Sequence, residues 1–349
     1  MLYETQNPHG GDVYGAEIVL DYSSNVNPLG TPPGVVRAIC EAAQLVRQYP
    51  DPYCRALREA IAAHEQVDMR WILCGNGAAE LIYAWCEALR PKLAAELAPT
   101  FCEYSIAAGH YGARMARYAL LADNGFCPDE GLLRFLKETK PDALFLCTPN
   151  NPTGRTIDQA LLERTLELCE QQRMRVLLDE SFLDFTDAKS AKDLLARYPG
   201  LLILKAFTKS YALAGARVGY CLSADTALLS RMAHAAQPWN VSLLAQRAGI
   251  AALQEQDFLR RAKALVARER AFLAQGLQTL RLRVFPSEAN YLLFCGPAGL
   301  DAALRREKIA IRSCENYDGL GPGYYRIAVR LHEENEKLLA AMRRAMEVR

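Results

Sequence analysis

The sequence predicts an α/β protein, with a mostly parallel central sheet covered by helices and a smaller α+β domain after it. Three observations point there. Short apolar runs in the middle of the chain are continuous rather than alternating, as in strands buried on both faces. Longer amphipathic stretches separate them, and strand–helix alternation of this kind builds a parallel sheet. After Pro238 the alternation gives way to long helical patterns followed by clustered strands.

In chain order, residues 1–45 are rich in Pro, Gly and Asn and predict an arm that packs on the smaller domain. WILC (71–74), ALFLC (143–147), RVLLD (175–179), LLILK (201–205) and RVGYC (217–221) read as buried strands. AAELIYAWCEAL (78–89) and IDQALLERTLELCEQQ (157–172) read as helices between them. LLILK and RVGYC stand only about ten residues apart, too few for a full helical crossover, so an antiparallel strand is open there. Residues 46–245 form the expected large domain and 246–349 the small one. The small one holds a helical stretch over 241–280, then RLRVF, NYLLFC, KIAIR and YYRIAVR, and a closing amphipathic helix.

Composition narrows the function. With 41 Lys+Arg against 40 Asp+Glu the net charge is +1, which gives no electrostatic basis for a general nucleic-acid or anionic-membrane binder. No uncharged apolar run approaches the ~18–20 residues of a membrane span, and MLYETQNPHGGD lacks the basic and apolar regions of a signal peptide. Eleven cysteines without a CxxC pair argue against a disulfide framework and a structural zinc site, and for free thiols in the cytoplasm. No metal is expected.

Four segments carry chemistry. FTKSYALAGARVGY (207–220) sets Lys209 eight residues before Arg217. That spacing suits a lysine amine that forms a Schiff base beside an anion held by a guanidinium. LLDE (177–180) puts Asp179 at the end of a buried strand, where a carboxylate needs a cation; a protonated pyridine nitrogen is one partner, a helix cap or an ion pair another. TPNNPTG (148–154) is a turn offering Asn151 as a hydrogen-bonding group. CGNGAAE (74–80) leads from a strand through glycines into a helix whose first N–H groups suit an anion.

Their order and spacing resemble the fold-type-I pyridoxal phosphate enzymes, the aspartate aminotransferase superfamily, across nearly the whole chain. The resemblance implies pyridoxal 5'-phosphate as cofactor, with Lys209 forming its Schiff base and Asp179 and Asn151 holding the ring. The backbone of Gly77 and Ala78, with Thr208 and Arg217, would take the phosphate. Tyr104, in APTFCEYS, matches the aromatic that stacks on the ring, and Tyr49, in RQYPD, a tyrosine that reaches the partner subunit's site in a homodimer. Two positions depart from the pattern. Ala206 stands where many relatives have Ser or Thr, with Thr208 the candidate replacement, and Phe182 stands where close relatives have Tyr.

HGGD (9–12), LDYSSNVNPLG (20–30), ANYLLF (289–294), IRSCENY (311–317) and YYRIAVR (324–330) resemble the branch that decarboxylates L-threonine O-3-phosphate in cobalamin biosynthesis. The histidinol-phosphate aminotransferases share the general plan and the SNVNPLG-like stretch. On the first resemblance the substrate contacts are His9, Gly10, Asn25, Asn151, Arg312 and Arg326. A phosphorylated amino acid brings a carboxylate and a phosphate, and two guanidinium forks with a histidine complement them. Ion pairing with Glu315 or Glu333 is the other role open to the two arginines. A third reading, a regulator that binds ligand without chemistry, sits poorly with Lys209 and Asp179 both present. Fold alone does not separate decarboxylation from transamination, because the bond at Cα held perpendicular to the cofactor ring is the one that breaks.

Overall fold

The computed structural model describes residues 9–14 and 17–347, apart from the Gln256 side chain. Residues 1–8 of the expected arm lie outside the described residues. The strands are β1 (Leu20–Asp21), β2 (Ile72–Gly75), β3 (Leu93–Ala98), β4 (Arg114–Ala119), β5 (Ala143–Cys147), β6 (Arg175–Asp179) and β7 (Leu201–Ala206). They continue as β8 (Gly219–Leu222), β9 (Arg283–Val284), β10 (Tyr291–Cys295), β11 (Ile309–Ala310), β12 (Arg312–Ser313) and β13 (Tyr324–Ala328).

Seven strands form the main sheet in the order β2-β8-β7-β6-β5-β3-β4. All neighbours are parallel except β8, which runs against both β2 and β7. The short link after β7 therefore carries the antiparallel strand that its length allowed. Because β8 opposes both flanking strands, β2, β5, β6 and β7 point the same way. Their carboxyl ends meet at one edge, where open α/β sheets bind ligands.

The continuous apolar runs follow from helices on both faces. In β5, β6 and β7, Leu144, Leu146, Val176, Leu178, Leu201 and Ile203 join one buried cluster with Ile61 and Leu161. Their alternates Phe145, Leu177, Leu202 and Leu204 join another with Trp85, Tyr104 and Met232. Successive side chains of a strand point to opposite faces, so neither face tolerates a polar residue.

β3 and β4 were not among the expected strands. Glu96 interrupts the apolar run of LAAELA, and β4 is an edge strand with several exposed side chains. The structure pairs one oxygen of Glu96 with Arg117, its register partner on β4, whose Nε donates to Glu96 Oε1 at 2.9 Å.

The second sheet, β12-β13-β10-β9, is antiparallel. It packs with Leu273 and Leu277 of the helix Gln256–Thr279 and with Leu338 and Met342 of the helix His332–Glu347. β1 pairs in parallel with β11, which docks the segment carrying SSN (23–25) beside β13. The helix Pro33–Ala43 follows it.

Candidate active site

At the carboxyl edge of the main sheet lies a cavity of about 420 Å³. Lys209 reaches it from the helical turn Phe207–Ser210 that follows β7. Burial, reinforced by the positive charges of Arg326 and Arg217, lowers its ammonium from 10.5 to about 8. Its Nζ lies 5.7 Å from the centre of the Phe182 ring.

Asp179 ends β6 and is buried. Its Oδ1 accepts from the Ser181 backbone N–H at 2.8 Å, and its Oδ2 from the Tyr104 hydroxyl at 2.7 Å. Burial pushes this carboxyl up, while those donors and Lys209 pull it back. A buried carboxylate beside an amine, with donors already fixing its orientation, is a receptor for a further N–H.

Asn151, in the turn after β5, turns its Oδ1 to Arg326 Nη1 and to the Tyr317 hydroxyl at 3.4 Å. Its amide NH₂ is then what it offers to a ligand. Arg326, on β13, is buried, and its Nη2 donates to the Ser23 carbonyl at 2.7 Å. With its amide oxygen toward the guanidinium, Asn25 accepts from Arg326 Nε at 3.2 Å and Nη1 at 3.3 Å. Arg326 is thus fixed by side chains from β1's extension and from the β5 turn, which bring both ends of the chain into the cavity wall.

The helix Gly77–Leu89 begins beside the same cavity, with no side chain capping its first N–H groups. Gly77 adopts φ +78°, and a Cβ there would stand 2.4 Å from Arg217 Nη2. Only glycine lets the guanidinium lie against this helix start. A Cβ on Gly219 would stand 2.8 Å from the Ala78 nitrogen. Helix dipole, free N–H groups and arginine form an anion cradle, with Thr208 and Ala206 in the adjoining wall.

The HGG segment closes the far side. A Cβ on Gly10 would meet the Ser23 carbonyl oxygen at 2.4 Å, and Gly11 N–H donates to Ser23 Oγ at 2.8 Å. This tight docking puts His9 at the rim, its Nε2 2.7 Å from Glu103 Oε1. Hydrogen bonds to Cys102 and Glu103 raise the imidazole to about 9. His9, Lys209, Arg217 and Arg326 outnumber Glu103 and Asp179 around the cavity, so it favours anions.

Two expected residues stand elsewhere, and a third, Tyr104, lines the cavity in a different way from the one expected. Tyr104 is wholly buried in the cavity wall, one face of its ring stacked on Phe145 with centroids 5.3 Å apart and its hydroxyl on Asp179. Phe101, three residues earlier and partly open, lines the cavity as well and is the more accessible ring. Tyr49 lies outside the cavity, 80% exposed, with its ring 4.8 Å from Trp239. Arg312 lines a neighbouring cavity of about 400 Å³ with Asp12, Arg305 and Glu315, which shares His9, Gly10 and Ser23 with the first. Its guanidinium sits 5.4 Å over the Tyr317 ring and donates to Asn316 Oδ1 at 2.7 Å. Ser23, Phe101, Glu103 and Tyr317 line the main cavity without having been singled out. Ser23 and Tyr317 do lie inside the quoted SSN and CENY stretches, the only sequence signal for them.

The donor set fits pyridoxal phosphate. A lysine of lowered basicity, a buried carboxylate still able to accept, an amide NH₂ and a glycine-dependent anion cradle face one cavity.

Over residues 17–342 the chain matches the family model of aminotransferase class I and II. It is 37% identical to the threonine-phosphate decarboxylase of Salmonella typhimurium, covering 97% of this chain and 96% of that one. It is 36% identical to the histidinol-phosphate aminotransferase of an Anaeromyxobacter species, covering 95% and 92%. Among solved structures, the histidinol-phosphate aminotransferase from Clostridium acetobutylicum superposes with a TM-score of 0.87 at 29% identity, over 93% of this chain and 98% of that one.

Proposed function

The chain belongs to the aminotransferase class I and II family, whose members use pyridoxal phosphate, and from that premise we propose that it decarboxylates L-threonine O-3-phosphate. The products are (R)-1-amino-2-propanol O-phosphate and CO₂, the former destined for the cobalamin linker. The observation that carries the reading is Arg326, a buried guanidinium held by Asn151 and Ser23 in the cavity that contains Lys209. Similarity to the Salmonella decarboxylase along almost the entire chain supports it.

Bound here, pyridoxal phosphate supplies an electron sink for the pair left on Cα when a substituent departs. Asp179 and the Asn151 amide would hold its ring; Gly77, Ala78, Thr208 and Arg217 would hold its phosphate, and Phe101 would flank the ring. Arg326, Asn25, Gly10 and His9 hold the anionic ends of the substrate, with Arg312 reaching from the adjoining cavity. This clamp would orient the substrate on the cofactor so that the carboxylate, rather than the Cα hydrogen, is the group that departs. Lys209, whose ammonium gives up its proton near pH 8, would as that ammonium deliver a proton to Cα and be left as the neutral amine.

Tyr49, exposed beside Trp239, serves the neighbouring subunit of a homodimer in this reading. The setting is the cytoplasm, consistent with eleven free cysteines. No described helix is long and apolar enough to cross a membrane.

Transamination of histidinol phosphate is the second reading, favoured by the Anaeromyxobacter relative and the Clostridium structure. Histidinol phosphate has no carboxylate, so it leaves one anion-binding group of the clamp without a partner. Comparing kcat/KM for L-threonine O-3-phosphate alone with that for histidinol phosphate plus 2-oxoglutarate decides. We expect the first to exceed the second by about 100-fold or more; the reverse order overturns the proposal.

A further inference from the structure

We propose that His9, Cys102 and Glu103 form a divalent-metal site of the zinc class at the rim of the cavity. A donor atom from each lies within 4.8 Å of the other two. Cys102 Sγ stands 3.8 Å from His9 Nδ1, and Glu103 Oε1 stands 2.7 Å from His9 Nε2. Zinc bonds of about 2.0–2.3 Å place tetrahedral donors roughly 3.3–3.8 Å apart; the two short distances run to different nitrogens of the imidazole, so the cluster closes on one ion through a turn of the His9 ring that aims a single nitrogen between the thiol and the carboxylate.

The donor chemistry is selective. An imidazole, a thiol and a carboxylate together suit zinc and its neighbours rather than magnesium or calcium, which take oxygen ligands. The carboxylate is also held from behind, as ligands in metal sites usually are: the Tyr83 hydroxyl donates to Glu103 Oε2 at 3.1 Å. Cys102 and Glu103 are adjacent at the start of the helix Glu103–His110, and Gly10 packed on Ser23 fixes the position of His9. Metal binding releases the thiol proton and the imidazole proton to solvent. Three protein ligands leave the fourth position to water, on the side of the cavity that His9 and Glu103 line.

The site shares His9 with the proposed substrate clamp, and its test is a binding measurement that needs no turnover. The cofactor-loaded protein is dialysed against zinc ion, and against cobalt(II) as a spectroscopic stand-in, with bound metal counted per chain. We expect one ion per chain and the visible bands of tetrahedral, thiolate-ligated cobalt. C102S and H9A should each weaken binding by at least about 100-fold, while C40S, an exposed cysteine away from the cluster, should bind as the unaltered chain does. Absence of stoichiometric zinc, or binding that C102S and H9A leave unchanged, overturns the proposal.

Discussion

Tyr104 donates its hydroxyl hydrogen to Asp179 Oδ2 at 2.7 Å, and its own ring is clamped against Phe145. The tyrosine therefore acts on the cavity through the carboxylate. In Y104F the charged form of Asp179 loses a donor, and its carboxyl rises further. A hydrogen bond to a charged group contributes about 1.5–3 kcal/mol, so the affinity of the apo protein for pyridoxal phosphate should fall about 10- to 100-fold. Fluorescence titration checks this; unchanged affinity contradicts it.

Lys209 is held near pKa 8 by burial and by two arginines. Since its depressed basicity favours the neutral amine, cofactor capture by the apo protein should accelerate as pH rises through about 8 and then level off. R326A removes a like charge and should move the inflection upward. Stopped-flow measurement across pH reads both effects, and a flat profile argues against them. K209A should show no turnover at all.

Arg326 should matter to substrate and little to cofactor. R326A is expected to lower kcat/KM by about 100- to 1000-fold, with cofactor affinity measured well above the Lys209 inflection changed far less, because a buried charge-assisted pair is lost. R326K should recover only part of that, since a lysine keeps the charge and loses the fork. An equal loss of cofactor binding would place the residue in the wrong role.

Gly77 allows Arg217 to lie against the helix start: at φ +78° a Cβ there would stand only 2.4 Å from Arg217 Nη2. G77A should displace Arg217, weaken cofactor binding by about tenfold or more, and destabilise the chain by about 1–3 kcal/mol. Thermal unfolding with and without cofactor separates the two effects.

Much of this was legible in the sequence, for physical reasons. ALFLC and RVLLD coincide with β5 and β6 residue for residue, because burial on both faces excludes polar side chains. β3 was hidden because Glu96 breaks its run and finds its ion-pair partner only in Arg117, twenty-one positions away. Lys209, Asp179, Asn151 and the Gly77 turn converge because four strands share a direction, which motif order suggests but local pattern does not prove. Where side chains turn was beyond sequence. PTFCEY offers two aromatics three apart, and only packing decides that Phe101 is the open ring of the cavity wall while Tyr104 is buried in it against Phe145 and Asp179. His9 and Glu103 meet across 94 positions through the docking of Gly10 on Ser23.

The most direct measurement is incubation of the pyridoxal-phosphate-loaded protein with L-threonine O-3-phosphate and no keto acid, following CO₂ and the amine product. Sustained release of CO₂ with equimolar aminopropanol phosphate over many turnovers is the predicted result. Conversion of the cofactor to its pyridoxamine form, followed by a stall without CO₂, would contradict the account.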